Sequence, residues 1–415
     1  MRLSDRGRIN RSISLPFTFD GHLLTGHAGD TLASALLAND IRLVGRSFKY
    51  HRPRGVMTAG SEEPNALVQI GAGAAMVPNV RATTQELYEG LDATSQNHWP
   101  SLSKDLLAVN DLVSPFLGAG FYYKTFMWPP KAWAKVYEPF IRRAAGLGTA
   151  PTTPDPDHYV HSHLHADVLI AGSGPAGLAA ALAASASGKR VILADEQDRP
   201  GGSLLHDTTS TIDGLPARAW VARTLEELGR RENVRILSRT TVFGHFNHNH
   251  IALCERLTDH LRQPPPGQAR ERLWQVRAGQ VIVATGAHER PLVFANNDRP
   301  GIMLADALRC YMNRYAVTPG RNIVVATNGA SAYEAALDAK AHGLFVTIVD
   351  YRTRDQIGRE RELAARAGIE ILDNHTVLGT TGRAQVTGIT VAPKTASGGV
   401  GDARTLACSA VAMSG

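Results

Sequence analysis

The strongest constraint on the fold is a glycine-rich turn between an apolar run and an alanine-rich run. Asp167 is followed by a short hydrophobic segment at residues 168–171, and the turn after it has the pattern Gly172-x-Gly174-x-x-Gly177. Strand, turn and helix in this order form the cradle in which a dinucleotide pyrophosphate rests on a helix N-terminus. The first glycine allows the tight turn, the second lets the backbone approach the phosphates, and the third lets helix and strand pack closely. The turn therefore predicts an NAD or FAD site.

Two acidic residues follow the next apolar segment. Val191–Ala194 reads as the second strand of the unit, and Asp195 and Glu196 come directly after it, about 20 residues beyond the glycines. An acidic side chain at this position accepts hydrogen bonds from the hydroxyls of the adenosine ribose. The alternative interpretation is a glycine-tolerant helix start that binds nothing, and the spacing of the acidic pair argues against it.

Strand, helix and linker patterns along the sequence divide the 415 residues into several modules. Residues 1–100 combine short strand patterns with one helix pattern, which is typical of a small α+β module. Residues 101–165 are a helical and aromatic connector that ends in a proline-rich linker. Residues 166–290 together with 380–415 are assigned to a first dinucleotide-binding domain, and residues 291–379 to a second. The sequence therefore predicts an α/β fold preceded by a small module.

The second dinucleotide-binding domain lacks the glycine pattern. Strand, helix and strand follow in order over residues 322–350, but Ala326, Asn328 and Ser331 stand where the three glycines would be. Side chains at those positions crowd the path of the phosphates, so nucleotide binding by this domain stays open. The last segment, residues 406–415, reads as a strand that returns to the first domain. It stops in mid-motif, as the front part of a longer protein would.

One helix of the connector has an apolar face. The spacing predicts a helix over Lys131–Ala145, in which Trp133, Val136, Phe140 and Ile141 recur at roughly helical intervals. Such stripes are usually buried, so we expect this face to pack within the protein. A docking surface is the alternative.

Charge and cysteine content limit the classes of function. The net charge of +6 and the isoelectric point near 9.3 suit an anionic cofactor or an acidic partner, and no nucleic-acid-binding motif accompanies the charge. Cys254, Cys310 and Cys408 lie far apart, which argues against a redox-active disulfide and against cysteine-bound zinc or iron–sulfur sites. Few cysteines and the absence of a signal-peptide pattern predict a soluble, cytoplasmic protein with no membrane or nucleic-acid partner.

Three polar clusters have both a functional and a structural interpretation. Histidines recur at nearly every second position just before the apolar strand that leads to Gly172. For this pattern, the edge of a strand is a commoner explanation than a metal site. These histidines are His158, His161, His163 and His165. One interpretation of a basic cluster is that it faces a flavin phosphate. The preferred interpretation is a surface that is solvated or faces a partner. The basic cluster consists of Arg42, Arg46, Lys49, Arg52 and Arg54.

The third cluster follows the Ala284-Thr-Gly turn. His288, Glu289 and Arg290 suit either charge stabilisation on a cofactor or a structural ion pair. No metal site is predicted, and no serine or cysteine nucleophile has a credible histidine base.

Four longer segments point to one known family. They are GRSFKYHRPRG at Gly45–Gly55, EEPNA at Glu62–Ala66, DEQDRPGGSL at Asp195–Leu204 and the run Ala284–Gly301. With the glycine turn, they make the chain resemble the alpha subunit of heterotetrameric sarcosine oxidase over almost its whole length. Related cyanide-forming and opine-oxidising flavoenzymes share parts of the pattern.

The resemblance implies a fold, a reaction and partners. The fold is a Rossmann-type, FAD/NAD(P)-binding flavoprotein fold with two dinucleotide-binding domains. The family oxidatively demethylates sarcosine to glycine with O2, producing hydrogen peroxide and 5,10-methylenetetrahydrofolate. Its alpha subunit binds NAD, its beta subunit holds FAD and the sarcosine site, FMN lies between subunits, and gamma and delta subunits complete the assembly. The aminomethyltransferase-like folate domain of the alpha subunit is missing from this sequence, so we expect the chain alone to be inactive.

The same resemblance assigns the cofactor site residue by residue. NAD is the preferred occupant of the first glycine turn and FAD the alternative, because both present the same adenosine diphosphate to it. Gln197 stands where the family often has arginine. No catalytic residue is assigned. The predicted cofactor-binding residues are Gly172, Gly174, Pro175, Ala176, Gly177, Asp195, Glu196, Gln197, Gly202, Ser203, Val242, Thr285 and Gly286.

The N-terminal module resembles a ferredoxin-like domain. Relatives of that domain hold a two-iron cluster on cysteine thiolates, whereas this sequence has no cysteine before Cys254. We therefore expect a structural or interface module without cluster cysteines and without an Fe–S cofactor.

Two other functions stay open from the sequence. One is a stand-alone FAD-dependent oxidoreductase of amines or opines, whose electrons pass through flavin at the first glycine turn. The other is a non-catalytic scaffold that binds a nucleotide without turnover.

Overall fold

The computed structural model describes residues 1–4, 7–116, 118, 120, 126, 128–144 and 148–415. The chain divides into two compact bodies, one with residues 1–154 and 289–415 and the other with residues 155–288. We call residues 1–100 the N-terminal module, residues 155–288 the first unit and residues 289–415 the second unit.

A mixed sheet and one helix build the N-terminal module. Helix α1 spans Leu32–Ala38 and begins with a capping box, in which Thr31 and Ser34 each accept a hydrogen bond from the other's backbone N–H. The strands are β1 (Asn10–Phe19), β2 (His22–Ala28), β3 (Gly45–Arg46), β4 (Pro53–Arg54), β5 (Leu67–Ile70), β6 (Val77–Arg81) and β7 (Asp92–Ser95). Five of them form one sheet in the order β2-β1-β7-β5-β6, and β3 pairs with β4.

A buried carboxylate shapes the loop between β4 and β5. Glu63 is 1% exposed, and its two oxygens accept hydrogen bonds from four backbone N–H groups at 2.7–3.0 Å. The donors belong to Met57, Thr58, Asn65 and Ala66. The carboxylate therefore supplies the acceptors that these buried N–H groups require.

The connector forms short helical turns. They are 3₁₀ turns at Leu106–Asp111, Ser114–Phe116 and Pro130–Ala132, a π-helical turn at Trp133–Tyr137 and helix α2 at Glu138–Ala144. Ala145, the last residue of the predicted helix, lies outside the described residues.

The apolar face that we predicted to pack is open in the structure. Trp133 is 38%, Val136 is 57% and Phe140 is 70% exposed. The packing interpretation was wrong for these three side chains. Helical spacing determines which residues share a face, but it does not determine what that face meets.

The first unit contains a six-stranded sheet in the order β12-β9-β8-β15-β14-β13. Its strands are β8 (Tyr159–Ala171), β9 (Val191–Ala194), β10 (Thr211–Ile212), β11 (Leu215–Pro216), β12 (Val234–Leu237), β13 (Thr240–Phe246), β14 (His250–Arg256) and β15 (Glu271–Val283). Strands β12, β9, β8 and β15 are parallel, and β14 and β13 extend the sheet in antiparallel pairing. Its helices are α3 (Pro175–Ala186) and α4 (Ala217–Gly229).

The parallel strands of the first unit end together at the glycine turn. Strand β8 is buried over its last residues because it is covered on both faces, which its continuous apolar run predicts. The N–H of Gly172 donates to the carbonyl oxygen of Ala194, and the N–H of Ala284 donates to that of Ala171, both at 2.8 Å. The carboxyl ends of β8, β9 and β15 therefore meet where ligands bind in open α/β sheets.

The second unit contains a parallel sheet in the order β16-β23-β17-β18-β19 and an antiparallel sheet in the order β20-β21-β22. Its strands are β16 (Ile302–Leu304), β17 (Asn322–Thr327), β18 (Phe345–Asp350), β19 (Glu370–Leu372), β20 (His375–Thr381), β21 (Gly388–Pro393), β22 (Arg404–Ala407) and β23 (Ala410–Ser414). Its helices are α5 (Ala305–Asn313), α6 (Ala332–Ala341) and α7 (Arg359–Arg366).

Residues 380–415 lie in the second unit, whereas the sequence assigned them to the first domain. Strand β23 pairs with β16 and β17 in the parallel sheet of the second unit. All five residues of β23 are buried. An apolar run of this kind suits the centre of any parallel sheet, so the pattern cannot identify which sheet the strand joins.

Arginines of the predicted basic cluster join the N-terminal module to the second unit. Arg52 donates to Oδ1 of Asp298 at 2.8 Å, and Arg54 pairs with the same carboxylate. Arg42 donates to the carbonyl oxygen of Ser409 at 2.8 Å. These guanidinium groups bond within their own body, so the preferred interpretation of a solvated or partner-facing cluster was wrong for them.

Candidate functional site

Close backbone contacts form the glycine turn of the first unit. Gly172 has a φ of +99°, and a Cβ added to it would lie 2.3 Å from the carbonyl oxygen of Ala284. A Cβ added to Gly177 would lie 1.9 Å from the carbonyl oxygen of Gly172. A side chain at either position would displace backbone, so the fold itself requires these two glycines.

Gly174 has the opposite surroundings. A Cβ added to it would meet no atom within 4 Å. Gly174 is the N-cap of α3, which has Pro175 in its first turn, no side-chain cap and no acidic residue in that turn. The first N–H groups of a helix lack intrahelical partners and carry a partial positive charge. The turn therefore presents open space beside a helix end that suits an anionic pyrophosphate.

The aspartate after β9 is bonded to the glycine turn. Asp195 Oδ2 accepts hydrogen bonds from the backbone N–H and from the hydroxyl of Ser173, both at 2.6 Å, and Oδ1 accepts one from the N–H of Gln197 at 2.9 Å. Ser173 is completely buried. Ser173 is not among the residues predicted from the sequence to bind the cofactor. A serine between the first two glycines, with an aspartate at the end of the next strand, is the signal that could have identified it.

Two further predicted segments reach the same turn. A Cβ added to Gly202 would lie 2.8 Å from Cα of Gly174. The Cα of Thr285 lies 3.2 Å from the position of a Cβ added to Gly172. The structure therefore brings the glycine turn, the Gly202 turn and the Ala-Thr-Gly turn together.

The other predicted residues lie close, in the chain or in the sheet, to Asp195 or to one of the three turns described above. Arg256 donates to the carbonyl oxygen of Glu196 at 3.0 Å. Val242 lies on β13, two residues after Thr240, whose N–H donates to the carbonyl oxygen of Asp195 at 2.7 Å. The remaining predicted residues adjoin the three turns in the chain: Pro175 and Ala176 lie in the first turn of α3, Ser203 follows Gly202, and Gly286 follows Thr285.

The acidic position of the second unit is bonded from within. Asp350 ends β18, is completely buried, and accepts hydrogen bonds from the hydroxyl of Tyr333 at 2.9 Å and from Nη2 of Arg352 at 2.8 Å. Arg352 also donates to the carbonyl oxygen of Gly329 at 3.1 Å, in the loop that corresponds to the glycine turn. The guanidinium of Arg352 therefore links Asp350 to the loop at Gly329, the two places where a dinucleotide would contact this unit. This arrangement favours a second unit without a dinucleotide.

A cavity of about 200 Å³ lies at the carboxyl ends of β17 and β18. Pockets for drug-sized ligands span about 300–1,000 Å³, and the volume of this cavity lies below that range. Its lining residues are Leu292, Val293, Phe294, Thr327, Asn328, Val349, Tyr351, His375, Thr376 and Val377.

Glu289 caps a helix of the second unit. Its Oε2 accepts a hydrogen bond from the N–H of Asp306, in the first turn of α5, at 2.9 Å. Burial raises the pKa of Glu289 above its ordinary value, and hydrogen bonds to this N–H and its neighbours oppose the shift. Of the two interpretations weighed for this cluster, the contact supports a structural role, as a helix cap rather than an ion pair.

Two of the three cysteines, Cys254 and Cys408, are poor nucleophiles. Burial, with a smaller contribution from Glu271, raises the pKa of Cys254 to about 11, and burial raises the pKa of Cys408 to about 12. Cys310 is buried. Because the thiolate is the reactive form, Cys254 and Cys408 are protonated and unreactive at neutral pH.

The alternating histidines lie exposed on β8. His161, His163 and His165 share one face of the strand because side chains two residues apart point the same way. Within the described ranges, no three histidine, cysteine, aspartate or glutamate side chains converge where a metal ion could bind. In the same part of the chain, no helix combines the length and the apolar composition that crossing a membrane demands.

Two protein families match parts of the chain. Residues 166–411, more than half of the sequence, match the family described as pyridine nucleotide-disulphide oxidoreductase. Residues 12–98 match the 2Fe-2S iron-sulfur cluster binding domain. This second match contradicts our prediction that no Fe–S cofactor is involved.

The residues of the matched N-terminal segment do not fit such a cluster. Two-iron clusters of this kind are held by cysteine thiolates. The three cysteines of the chain are Cys254, Cys310 and Cys408, all outside residues 12–98.

Curated relatives confirm the resemblance to sarcosine oxidase subunit alpha. The chain is 54% identical to that subunit from Rhizobium meliloti over 376 residues, which cover 88% of this chain and 38% of the relative. It is 39% identical to that subunit from Corynebacterium sp. over 417 residues, which cover 98% of this chain and 38% of the relative. The chain thus spans about 38% of the length of these relatives.

A solved structure shares the fold. The crystal structure of L-proline dehydrogenase from P. horikoshii matches with a TM-score of 0.59 and 19% sequence identity, covering 100% of this chain and 62% of that one. With the family match over residues 166–411, this similarity confirms the predicted dinucleotide-binding fold.

Proposed function

The chain belongs to the pyridine nucleotide-disulphide oxidoreductase family, and on that premise we propose that it is the NAD-holding part of a sarcosine oxidase alpha subunit. The observation that carries the proposal is the open, uncapped N-terminus of α3 at Gly174. The 54% identity to the subunit from Rhizobium meliloti supports the choice of enzyme.

In this proposal NAD lies across the glycine turn, with its pyrophosphate at the N-terminus of α3. Gly174 lets the phosphates approach the backbone, and Ala176 and Gly177 offer N–H groups. Glu196 receives the adenosine ribose, and Val242 lies toward adenine. FAD is the alternative occupant, since it carries the same adenosine diphosphate. The other residues of the proposed site are Gly172, Pro175, Asp195, Gln197, Gly202, Ser203, Thr285 and Gly286.

The proposed reaction belongs to the whole assembly. Sarcosine, O2 and tetrahydrofolate give glycine, hydrogen peroxide and 5,10-methylenetetrahydrofolate. A beta-type subunit carries the amine oxidation, gamma- and delta-type subunits complete the complex, and this chain binds and orients the nucleotide. We place the assembly in the cytoplasm, because three dispersed cysteines suit a reducing compartment.

The test of the site is to purify the chain, denature it, and identify the released nucleotide by mass and absorbance. NAD without flavin supports the proposal. FAD would favour a stand-alone flavin-dependent amine or opine oxidoreductase. A chain that releases no nucleotide and binds no added NAD would refute the proposed site, and a scaffold without turnover would then be the better account.

A second experiment tests the enzyme assignment. The chain is co-expressed with a sarcosine oxidase beta subunit, and complex formation is measured by size-exclusion chromatography with light scattering. The proposal predicts a stable complex. If the two chains elute separately and the mixture forms no peroxide from sarcosine, the assignment to this enzyme is wrong.

A further inference from the structure

We propose that the helix of the connector docks into an apolar groove with an acidic rim, and that in the proposed assembly this groove belongs to the beta-type subunit. The 3₁₀ turn Pro130–Ala132, the π-helical turn Trp133–Tyr137 and helix α2 (Glu138–Ala144) together are called the connector helix. The inference rests on the proposed function, which supplies the partner, and it names the surface that binds this partner.

One side of the connector helix exposes large apolar side chains. Trp133, Val136 and Phe140 follow one another at intervals of three and four residues, so they are neighbours on the helix surface. Val136 is 57% exposed and Phe140 is 70% exposed. Trp128, just before the helix, is 82% exposed. Aromatic side chains of this kind supply much of the binding free energy where two proteins meet.

Tyr137 ties Trp128 to the connector helix. Its hydroxyl donates a hydrogen bond to the carbonyl oxygen of Trp128 at 3.0 Å. Its ring packs against that of Phe126, with 5.1 Å between the ring centroids. The backbone of Trp128 is therefore held in place before any partner binds, which lowers the entropy cost of docking.

The exposed apolar surface has the size of an interface centre. Trp128, Trp133, Val136 and Phe140 together expose roughly 500 Å² of apolar side-chain surface. The largest apolar patch on a typical monomer covers about 300–600 Å² and is often functional. One side of a stable protein interface buries about 800 Å². These four side chains can therefore form the apolar centre of an interface whose rim is polar.

The charges of the connector helix define the chemistry of the rim. Lys131 and Lys135 are exposed, and neither forms a salt bridge within the part of the chain that the structure describes. Glu138, the only acidic residue of the connector helix, pairs with Arg142 at 2.5 Å. The helix therefore presents positive charge beside its apolar face. Carboxylates around an apolar groove complement this arrangement.

The same charges disfavour two other occupants. Clusters of about four to eight basic residues attract a protein to anionic lipid, whereas Lys131 and Lys135 are two cations. A second copy of the chain would bring the same two lysines to the interface, where like charges repel. The acidic-rimmed groove of a different chain is therefore the favoured occupant.

The experiment measures the dissociation constant of the complex between the full chain and a sarcosine oxidase beta subunit by biolayer interferometry. Phe140→Asp should weaken binding by at least about 30-fold, because it places a charge at the apolar centre. Phe140→Leu should restore binding to within about fivefold of the wild type. Phe345→Asp is the matched control, since Phe345 on β18 is 71% exposed, and it should leave binding unchanged.

A second comparison tests the acidic rim. The double variant Lys131→Glu, Lys135→Glu should weaken binding about tenfold at 50 mM salt and less at 500 mM salt, because salt screens exposed charges. Lys189→Glu, a charge reversal in the first unit, is the control and should have no effect. Urea unfolding checks that each variant remains folded.

The outcomes separate this inference from the proposed function. If the wild type binds the beta subunit and Phe140→Asp binds equally well, the docking surface is wrong and the proposed function stands. If the wild type does not bind, the enzyme assignment fails and the inference fails with it. Phe140→Asp might instead abolish binding to phosphatidylserine vesicles, or self-association, while leaving the affinity for the beta subunit unchanged. Either result would overturn the proposal in favour of a membrane surface or of a second copy.

Discussion

Replacing Gly174 by alanine separates the folding role of the glycine turn from its binding role. Gly174 has φ −66° and ψ −174°, an extended backbone that alanine adopts readily, and the added Cβ would meet no atom within 4 Å. The loss of a glycine N-cap and the reduced entropy of the unfolded chain oppose each other. The free energy of unfolding should therefore change by less than about 1 kcal/mol.

The same substitution should strongly weaken nucleotide binding. The new methyl group fills the space through which phosphates approach the N-terminus of α3, so the ligand loses contact with the helix N–H groups. Losing two charge-assisted hydrogen bonds at about 1.5 kcal/mol each reduces affinity by about 100-fold. Isothermal titration calorimetry with NAD measures this loss, and urea unfolding confirms that the variant remains folded.

Gly177→Ala is the contrasting variant. Its Cβ would lie 1.9 Å from the carbonyl oxygen of Gly172, so the helix and the strand must move apart. We expect a loss of more than about 3 kcal/mol in the free energy of unfolding. A folded Gly174→Ala variant with wild-type affinity for NAD would refute the reasoning, because the ligand would then not pass over Gly174.

Three further predictions concern groups outside the proposed site. Glu63→Gln should lower the free energy of unfolding, measured with urea, by about 2–4 kcal/mol. In either orientation of the glutamine amide, its NH2 group would face two backbone N–H donors that now bond to a carboxylate oxygen. The control Glu62→Gln should have little effect. Burial raises the pKa of Cys254 from 9.0 to about 11, so at pH 8 iodoacetamide should label the thiol of the native protein about 100-fold more slowly than the thiol of the unfolded protein. The labelling rate of the native protein should rise with pH until about pH 11. Equal rates for the native and the unfolded protein would contradict the burial of this thiol. Arg352→Ala should cost about 3–5 kcal/mol by leaving Asp350 buried without its cation, and should create no second NAD site in equilibrium dialysis.

The glycine turn and its two neighbouring strands, β8 and β9, could be predicted from the sequence because their determinants are local. Gly172 and Gly177 are separated by a few residues, and each is required by a contact with the adjacent strand or turn. The acidic pair after β9 was also identified by spacing. The hydrogen bonds from Ser173 to Asp195 could not be predicted, since they depend on which way the Asp195 carboxylate points.

Long-range pairing explains the two structural errors. Strand β23 is an apolar segment that suits any parallel sheet, and only its pairing with β17 shows that it belongs to the second unit. The apolar face of the connector has helical spacing, yet Phe140 is 70% exposed. The spacing shows which residues share a face and carries no information on what covers that face. Both features depend on contacts between residues that are distant in sequence.

The prediction about the iron–sulfur cofactor failed for a different reason. It was based on ligand chemistry, whereas the match of residues 12–98 to a 2Fe-2S binding domain shows a relationship in sequence and fold. The absence of cysteine from that segment concerns individual positions, and a relationship over the whole segment does not require each position to keep the same residue.

The most direct test of the central claim is a crystal structure of the chain grown with NAD. We predict density for a pyrophosphate over Gly174 at the N-terminus of α3, with the adenosine ribose at Glu196. Density confined to the second unit, at the carboxyl ends of β17 and β18, would contradict the account.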